Sequence, residues 1–428
     1  MMLEKITGIL KASGVYAWEV SDVKKQGWEF YFIRHALDQH RAKNVEHINV
    51  KVYQFTDDGQ SLGFASAELA PTATDAEAEK LVNDLAYRAT LVKNRPYALN
   101  VPAGEMPGTG APSDLAAISG DFIRTMAELR ETESEDVNSY EIFVSDVTRR
   151  LVTSTGIDET ERYPSSMIEV VVNARRDGHE IEVYRSYKSG TCDAQALKRD
   201  LERAMQYGRD RLRAVPTPLT GQFDVLFSGS DACQIYRFFV ARMDAQMVFR
   251  KISPWAIGEA ICEDFQGDRV TIAALRELDN SPANHGFDPE GALIRDTVLL
   301  EDGVAKHFLG SRMFAGYLGL TDAFLPSNIA VSGGTHSEEE LRAGQYLEVV
   351  EFSDFHIAPM TGDIFGEIRL GFWHDGDKCI PVSGGSLSGS MDDCIGSMRM
   401  SRSQTQYDSM RIPSLTRLKG VTVTGAEK

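Results

Sequence analysis

The densest run of chemistry-capable side chains is Asp279-Asn280-Ser281-Pro282-Ala283-Asn284-His285-Gly286-Phe287-Asp288-Pro289-Glu290-Gly291. Asp279, His285 and Asp288 lie close enough in the chain to share general acid and base work, since carboxylates and an imidazole can exchange protons near neutral pH. A hydrolase built on them would work without a metal. The same residue types also make up an ordinary strand-to-strand loop, so both readings stand. His35 and His40 flank Asp38 and could place three ligands together, or could form a solvated polar segment.

Other patterns lead nowhere. Ser21-Asp22-Val23-Lys24 fits S-x-x-K but has no S-D-N companion. The run Ser383-Gly384-Gly385-Ser386-Leu387-Ser388-Gly389 never satisfies G-x-S-x-G and reads as a strand connection. The chain has no H-E-x-x-H, no G-x-x-x-x-G-K-[ST], and no G-x-G-x-x-G after a strand, so nucleotide binding lacks support. The five cysteines, Cys192, Cys233, Cys262, Cys379 and Cys394, are odd in number and form no C-x-x-C. They read as free thiols in a reducing compartment.

Acidic residues outnumber basic ones 63 to 45 over 428 residues, a net charge of −18. That field repels nucleic acid and anionic membranes. No stretch approaches the roughly 18–20 apolar residues that cross a bilayer, and Met1–Leu10 reads as an amphipathic helix rather than a signal peptide. A cytoplasmic protein is expected.

The elements that must position these residues fall into two halves. Tyr16–Val20, Trp28–Ile33 and His47–Phe55 have strand composition, and Thr56-Asp57-Asp58-Gly59 turns the last towards Leu62–Ala67. Thr74–Val92 carries Ala76, Leu81, Leu85, Ala86 and Ala89 at helical spacing, capped at Thr74-Asp75. Val101–Pro112, with three prolines and three glycines, is a loop, and a helix follows from Ser113 to about Arg130. Strands over Tyr140–Val144, Met167–Asn173 and Glu180–Tyr187 are separated by turns at Thr153-Ser154-Thr155-Gly156 and Arg176-Asp177-Gly178. A charged helix, Asp193–Leu212, closes this half, and the prolines of 214–221 mark a linker.

Beyond it, the strand Phe223–Phe227 leads into one principal helix, Asp231 to about Phe249. Ser228 or Ser230 is its cap, and Ile235, Phe239, Met243 and Met247 its buried stripe. Short strands follow, with turns at Glu301-Asp302-Gly303, Thr361-Gly362-Asp363 and Asp375-Gly376-Asp377. The expected fold is therefore α+β: a mixed α/β domain over 1–213, a linker over 214–221, and a mainly antiparallel, barrel-like β domain over 222–428.

Several blocks resemble the TldD/PmbA family, whose members were first called modulators of DNA gyrase. Phe287-Asp288-Pro289-Glu290-Gly291 with Leu299-Leu300-Glu301-Asp302-Gly303-Val304 is similar to its FD-x-EG and L-x-x-x-GV pattern. Leu309–Gly319 resembles the small-residue helix, and Ser337-Glu338-Glu339-Glu340-Leu341 after Gly333-Gly334 the S-x-E-E-L segment. Thr361-Gly362-Asp363, Ile380-Pro381-Val382 and Pro413–Gly425 match later turns and strands. More loosely, Gly63–Val92 and Ser154-Thr155-Gly156 resemble first-half units.

This resemblance implies a dimeric peptidase fold. The family's catalytic member carries H-E-x-x-x-H on a helix and a cysteine near the C-terminus, which together hold zinc. Here Tyr236, Arg237 and Ala241 stand at the helix positions, and Tyr407 at that of the cysteine. Alanine cannot ligate, and arginine sets a fixed positive charge against the metal. The chain is closer to the metal-free PmbA/TldE-like member, so no cofactor is expected in it and zinc only in a TldD-like partner. Expected partners are unfolded peptides and that subunit, or a second copy of this chain. Gly333, Gly334 and Gly362 are candidate points at which an extended peptide adds to a sheet edge.

Overall fold

The computed structural model describes residues 2–104 and 110–426, so 105–109 of the expected loop lie outside the described residues. The first half is a six-stranded sheet, ordered Ser61–Leu69, Ala36–Thr56, Ala17–Ile33, Glu135–Thr153, Asp158–Arg176, His179–Ser189. Every neighbouring pair is antiparallel. The expected strands Tyr16–Val20 and Trp28–Ile33 are one continuous element. The polar residues between them, Ser21 to Gly27, pair on both sides, with Asn49–Lys43 and Leu151–Ser145. Ladder hydrogen bonds on two edges outweigh weak local strand propensity.

Alternation explains how this sheet is covered. Trp18 and Val20 point into one core, with Met2–Ala12 and Asp75–Thr90 packed over it. Trp28, Phe30 and Phe32, of the same parity, point into a second core under Leu115–Ala127 and Ala194–Arg211. Four helices thus share one face. Thr74 caps its helix in a capping box with Glu77, but the buried stripe is Ala78, Val82, Leu85 and Ala89, with Ala76 exposed. Gly63 has no alternative, since a Cβ there would lie 1.9 Å from the Ala89 carbonyl oxygen.

The second half contains a closed five-stranded barrel. Gly221–Ser228 pairs with Leu415–Thr424, which pairs with Ser386–Ser390, then Asp363–Asp375, then Gln345–Ile357. Gln345–Ile357 returns to Gly221–Ser228 in the ring's one parallel step. Closure leaves the ring without a free edge. Val215–Pro216, inside the proline-rich 214–221 stretch, adds to Cys379–Ser383 alongside the ring. A second six-stranded sheet runs Val304–Ala305, Thr297–Glu301, Ile272–Leu275, Asn328–Val331, Met410–Pro413, Gln404–Tyr407.

The single helix expected over 231–249 is broken. Cys233–Arg242 ends at Met243, and Ala245–Phe249 restarts after Asp244, which is extended and caps Gln246 N–H through its own carboxylate. The break follows from Ala245 N–H donating to the Leu309 carbonyl at 2.7 Å, a bond outside any helix. Neither Ser228 nor Ser230 caps the first piece; Gly229, at φ 82°, turns the chain into it.

Candidate functional site

The helix Cys233–Arg242 lies in the largest core of the molecule, and its two sides do different things. Tyr236 points inward, fully buried, and its hydroxyl lies 2.7 Å from the Thr416 hydroxyl of the closing barrel strand. Burial pushes its phenol upward, so it stays neutral. Cys233 is also buried, and its thiol is pushed up to about 12, an unreactive group.

Arg237 and Ala241, four residues apart and so on one helical face, line a cavity of about 310 Å³. Its wall is mainly apolar, from Val240, Met243, Leu299, Leu309, Ile329 and Met410. Polar groups on the lining are few. Arg237 is exposed and makes no hydrogen bond or ion pair among the described residues. The Ser327 hydroxyl is buried with no hydrogen-bond partner. Asp244 is committed to capping Gln246 N–H at 2.8 Å. Tyr407 is half-buried on the hairpin Gln404–Tyr407/Met410–Pro413, whose Ser409 and Met410 also line the cavity.

Of the four positions that the resemblance puts in place of zinc ligands, two therefore face one cavity, one faces the core, and one lies beside it. Tyr236 is committed to Thr416, Arg237 is a cation and Ala241 has no donor, so this set does not fit zinc. Among the described residues, no group of three or more His, Cys, Asp or Glu side chains is placed to hold a metal ion.

The structure does not connect Asp279, His285 and Asp288. Asp288 is buried, and its carboxylate accepts N–H bonds from Glu290, Ala292 and Leu325 at 2.8–2.9 Å. Burial pushes its carboxyl above the usual range, against those N–H bonds. Asp279 is exposed. His285 instead lies 3.0 Å from Glu161, a residue of the first sheet that Arg149 also meets at 2.8 Å. The His285 Nδ1–Glu161 Oε1 contact lacks hydrogen-bond alignment, so it is a close approach and not a hydrogen bond. Glu161, Tyr163 and His285 line a second, more polar cavity of about 250 Å³. No spacing in the chain could have found Glu161, because only the packing of the 279–291 loop on the first sheet brings it to His285.

His35 and His40 also part company. His35 pairs with Glu131 at 2.8 Å, whereas His40 stacks on Phe30 at 4.6 Å. Gly333 and Gly334 pack against 400–402, where a Cβ would meet the carbonyl oxygens of Arg402 and Met400 at 2.4 and 2.3 Å. Gly362 sits in a turn at φ 79° against Asp392.

Residues 220–425 match the family model of the PmbA/TldA metallopeptidase C-terminal domain. That match and the fold likenesses that follow support the TldD/PmbA family for this chain. In fold it is similar to TldE from Thermococcus kodakarensis, with TM-score 0.77 and 15% identity over 99% of this chain and 100% of that one. A protein from Thermotoga maritima, named as a proposed modulator of a DNA gyrase, gives TM-score 0.76 at 16% identity, covering 99% of each chain. An uncharacterised protein of Methanocaldococcus jannaschii is 27% identical over 155 residues, which span 33% of this chain and 36% of that relative's length. Among the described residues, no helix is long and apolar enough to cross a membrane.

Proposed function

We propose that this chain is a non-catalytic subunit of a TldD/TldE-type metalloprotease. It holds unfolded peptides for a partner that carries the H-E-x-x-x-H helix and the zinc, and it works in the cytoplasm as part of a dimer. What supports this reading is the cavity wall: it carries Arg237 and Ala241, the residues that the resemblance sets at the positions of metal ligands. A neutral-pH hydrolase needs an activated water, and a metal bound through three protein donors is the family's way to supply one. This site offers a cation and a methyl group instead. The metal-free alternative on Asp279, His285 and Asp288 gains nothing from the geometry, since Asp288 is committed to backbone N–H groups.

The test is cleavage of an unstructured peptide by this chain, by an H-E-x-x-x-H-bearing TldD-like subunit, and by the mixture, each with and without chelator. Cleavage by the mixture well above that of either part, abolished by chelator, is the expected result. Robust chelator-resistant cleavage by this chain alone would overturn the reading. A mixture no more active than the partner alone would also overturn it.

A further inference from the structure

The cavity beside Cys233–Arg242 has a composition that selects its ligand. Arg237 is an exposed cation on its rim, with no hydrogen bond or ion pair among the described residues. Asp408 on the neighbouring hairpin accepts the Lys188 N–H at 3.0 Å; it lies within electrostatic reach of Arg237 but forms no direct ion pair with it. Asp244, the other charged group on the lining, is held by the Gln246 N–H. Ser327 adds a buried hydroxyl with no partner, an arrangement that a folded protein seldom leaves unless something else supplies the bond. The remaining wall is largely aliphatic.

One arginine and two serines, Ser327 and Ser409, in a largely apolar wall whose one carboxylate, Asp244, is taken up by a backbone N–H, suit a single carboxylate attached to an apolar group. A polyphosphate would need more cations, and a metal would need donors that are not there. At about 310 Å³ the cavity is at the small end of ligand pockets, with room for one residue and not for a run of chain. We propose that it captures the free C-terminal carboxylate of a peptide whose last residue is apolar. Arg237 takes the carboxylate, Ser327 Oγ donates to it, and the aliphatic wall receives the last side chain. This rests on the peptide-holding reading above and narrows it to one end of the peptide.

The experiment is calorimetric titration of the full chain with a Gly-Ser decapeptide ending in Leu, as the free acid and as the C-terminal amide. A charge-assisted hydrogen bond of ordinary strength makes the acid bind about tenfold or more tighter than the amide. In Arg237→Gln that preference disappears, in Arg237→Lys part of it returns, and in Ser327→Ala it shrinks a few-fold. A thermal melt of each variant shows that it is folded. Equal binding of acid and amide overturns the inference while leaving the peptide-holding subunit intact. Binding of neither form overturns the inference as well, and the cleavage assay with the partner then decides the subunit reading separately. An acid preference unchanged in Arg237→Gln places the carboxylate elsewhere and equally sinks the assignment.

Discussion

The loop at 279–291 and the cavity beside Cys233–Arg242 are near opposites. The loop is crowded with carboxylates, amides and an imidazole, yet most of these groups are satisfied within the protein. Asp288 takes three N–H bonds, and Asn328, fully buried, accepts from the Ser281 hydroxyl while its amide donates to the Arg276 and Ala283 carbonyls and to Asn284. The cavity has few polar groups; the Ser327 hydroxyl is buried without a hydrogen-bond partner, and the exposed Arg237 makes no hydrogen bond or ion pair among the described residues. Polar density in a sequence therefore signals a structural knot at least as readily as a site. A polar group left over in an apolar wall is the stronger indication of a ligand, because an unmade buried bond costs free energy that a ligand can restore.

The largest expected effect tests the loop. Asp288→Ala leaves three backbone N–H groups without their acceptor, and each unsatisfied group costs roughly 1–3 kcal/mol, so a loss of about 3 kcal/mol or more is expected in urea denaturation. Asp279→Ala, at an exposed position, should stay within about 0.5 kcal/mol. If Asp288→Ala kept its stability but lost peptide cleavage in the complex, the loop would be a site after all and the contrast would fail.

Next comes Gly334. A methyl there would lie 2.3 Å from the Met400 carbonyl oxygen and 2.8 Å from the Asp268 carboxylate, so Gly334→Ala should lose about 2 kcal/mol through overpacking. This separates the two meanings of that glycine. Lost stability marks a close backbone approach; unchanged stability with lost peptide affinity would mark a sheet edge for substrate.

A smaller effect, about 1.5 kcal/mol at neutral pH, is expected for Asp268→Asn. Burial raises the Asp268 carboxyl, but bonds from the Thr335 hydroxyl, from Met400 and Thr335 N–H and from His336 outweigh it and hold it below the usual range. A depressed folded-state value means that the stabilisation is present above the unfolded carboxyl range near 4 and is lost as pH falls through the folded value. Thermal melts between pH 7 and 2 should show the wild type and the Asn variant converging on acidification. Parallel curves would exclude Asp268 as the titrating anchor.

Much of the frame was legible in the residues. Turns at Asp57-Asp58-Gly59, Asp177-Gly178 and Asp302-Gly303 fall where expected, because Asp and Gly accept left-handed backbone: Asp57, Gly59, Asp177, Gly178, Asp302 and Gly303 all have positive φ. Strand lengths were not legible. Ser21–Gly27 has no apolar alternation, and only its neighbours' hydrogen bonds make it part of the sheet. The helix break at Asp244 was hidden for a similar reason, since the competing partner, Leu309, is distant in the chain. Arg237 and Ala241 were visible through family resemblance alone, and Ser327 was not visible at all. An unpaired hydroxyl is a property of packing, which no local pattern encodes.

The smallest effect is the most discriminating. Arg237 makes no hydrogen bond or ion pair among the described residues, and its neighbours on the lining are largely aliphatic. Replacing it with methionine removes a cation from beside an apolar wall and retains a long flexible side chain, so nothing that holds the fold is lost. Arg237→Met should therefore be neutral or stabilising by up to about 1 kcal/mol, the behaviour of a residue kept for binding at some cost in stability. The same variant should lose the preference for a free peptide C-terminus. Urea denaturation of Arg237→Met and Asp288→Ala side by side gives the comparison directly: one unfolds early, the other does not. Should Arg237→Met instead lose more than about 1 kcal/mol, the guanidinium would be structural. The cavity would then be packing space, and the contrast between a saturated loop and an open site would collapse.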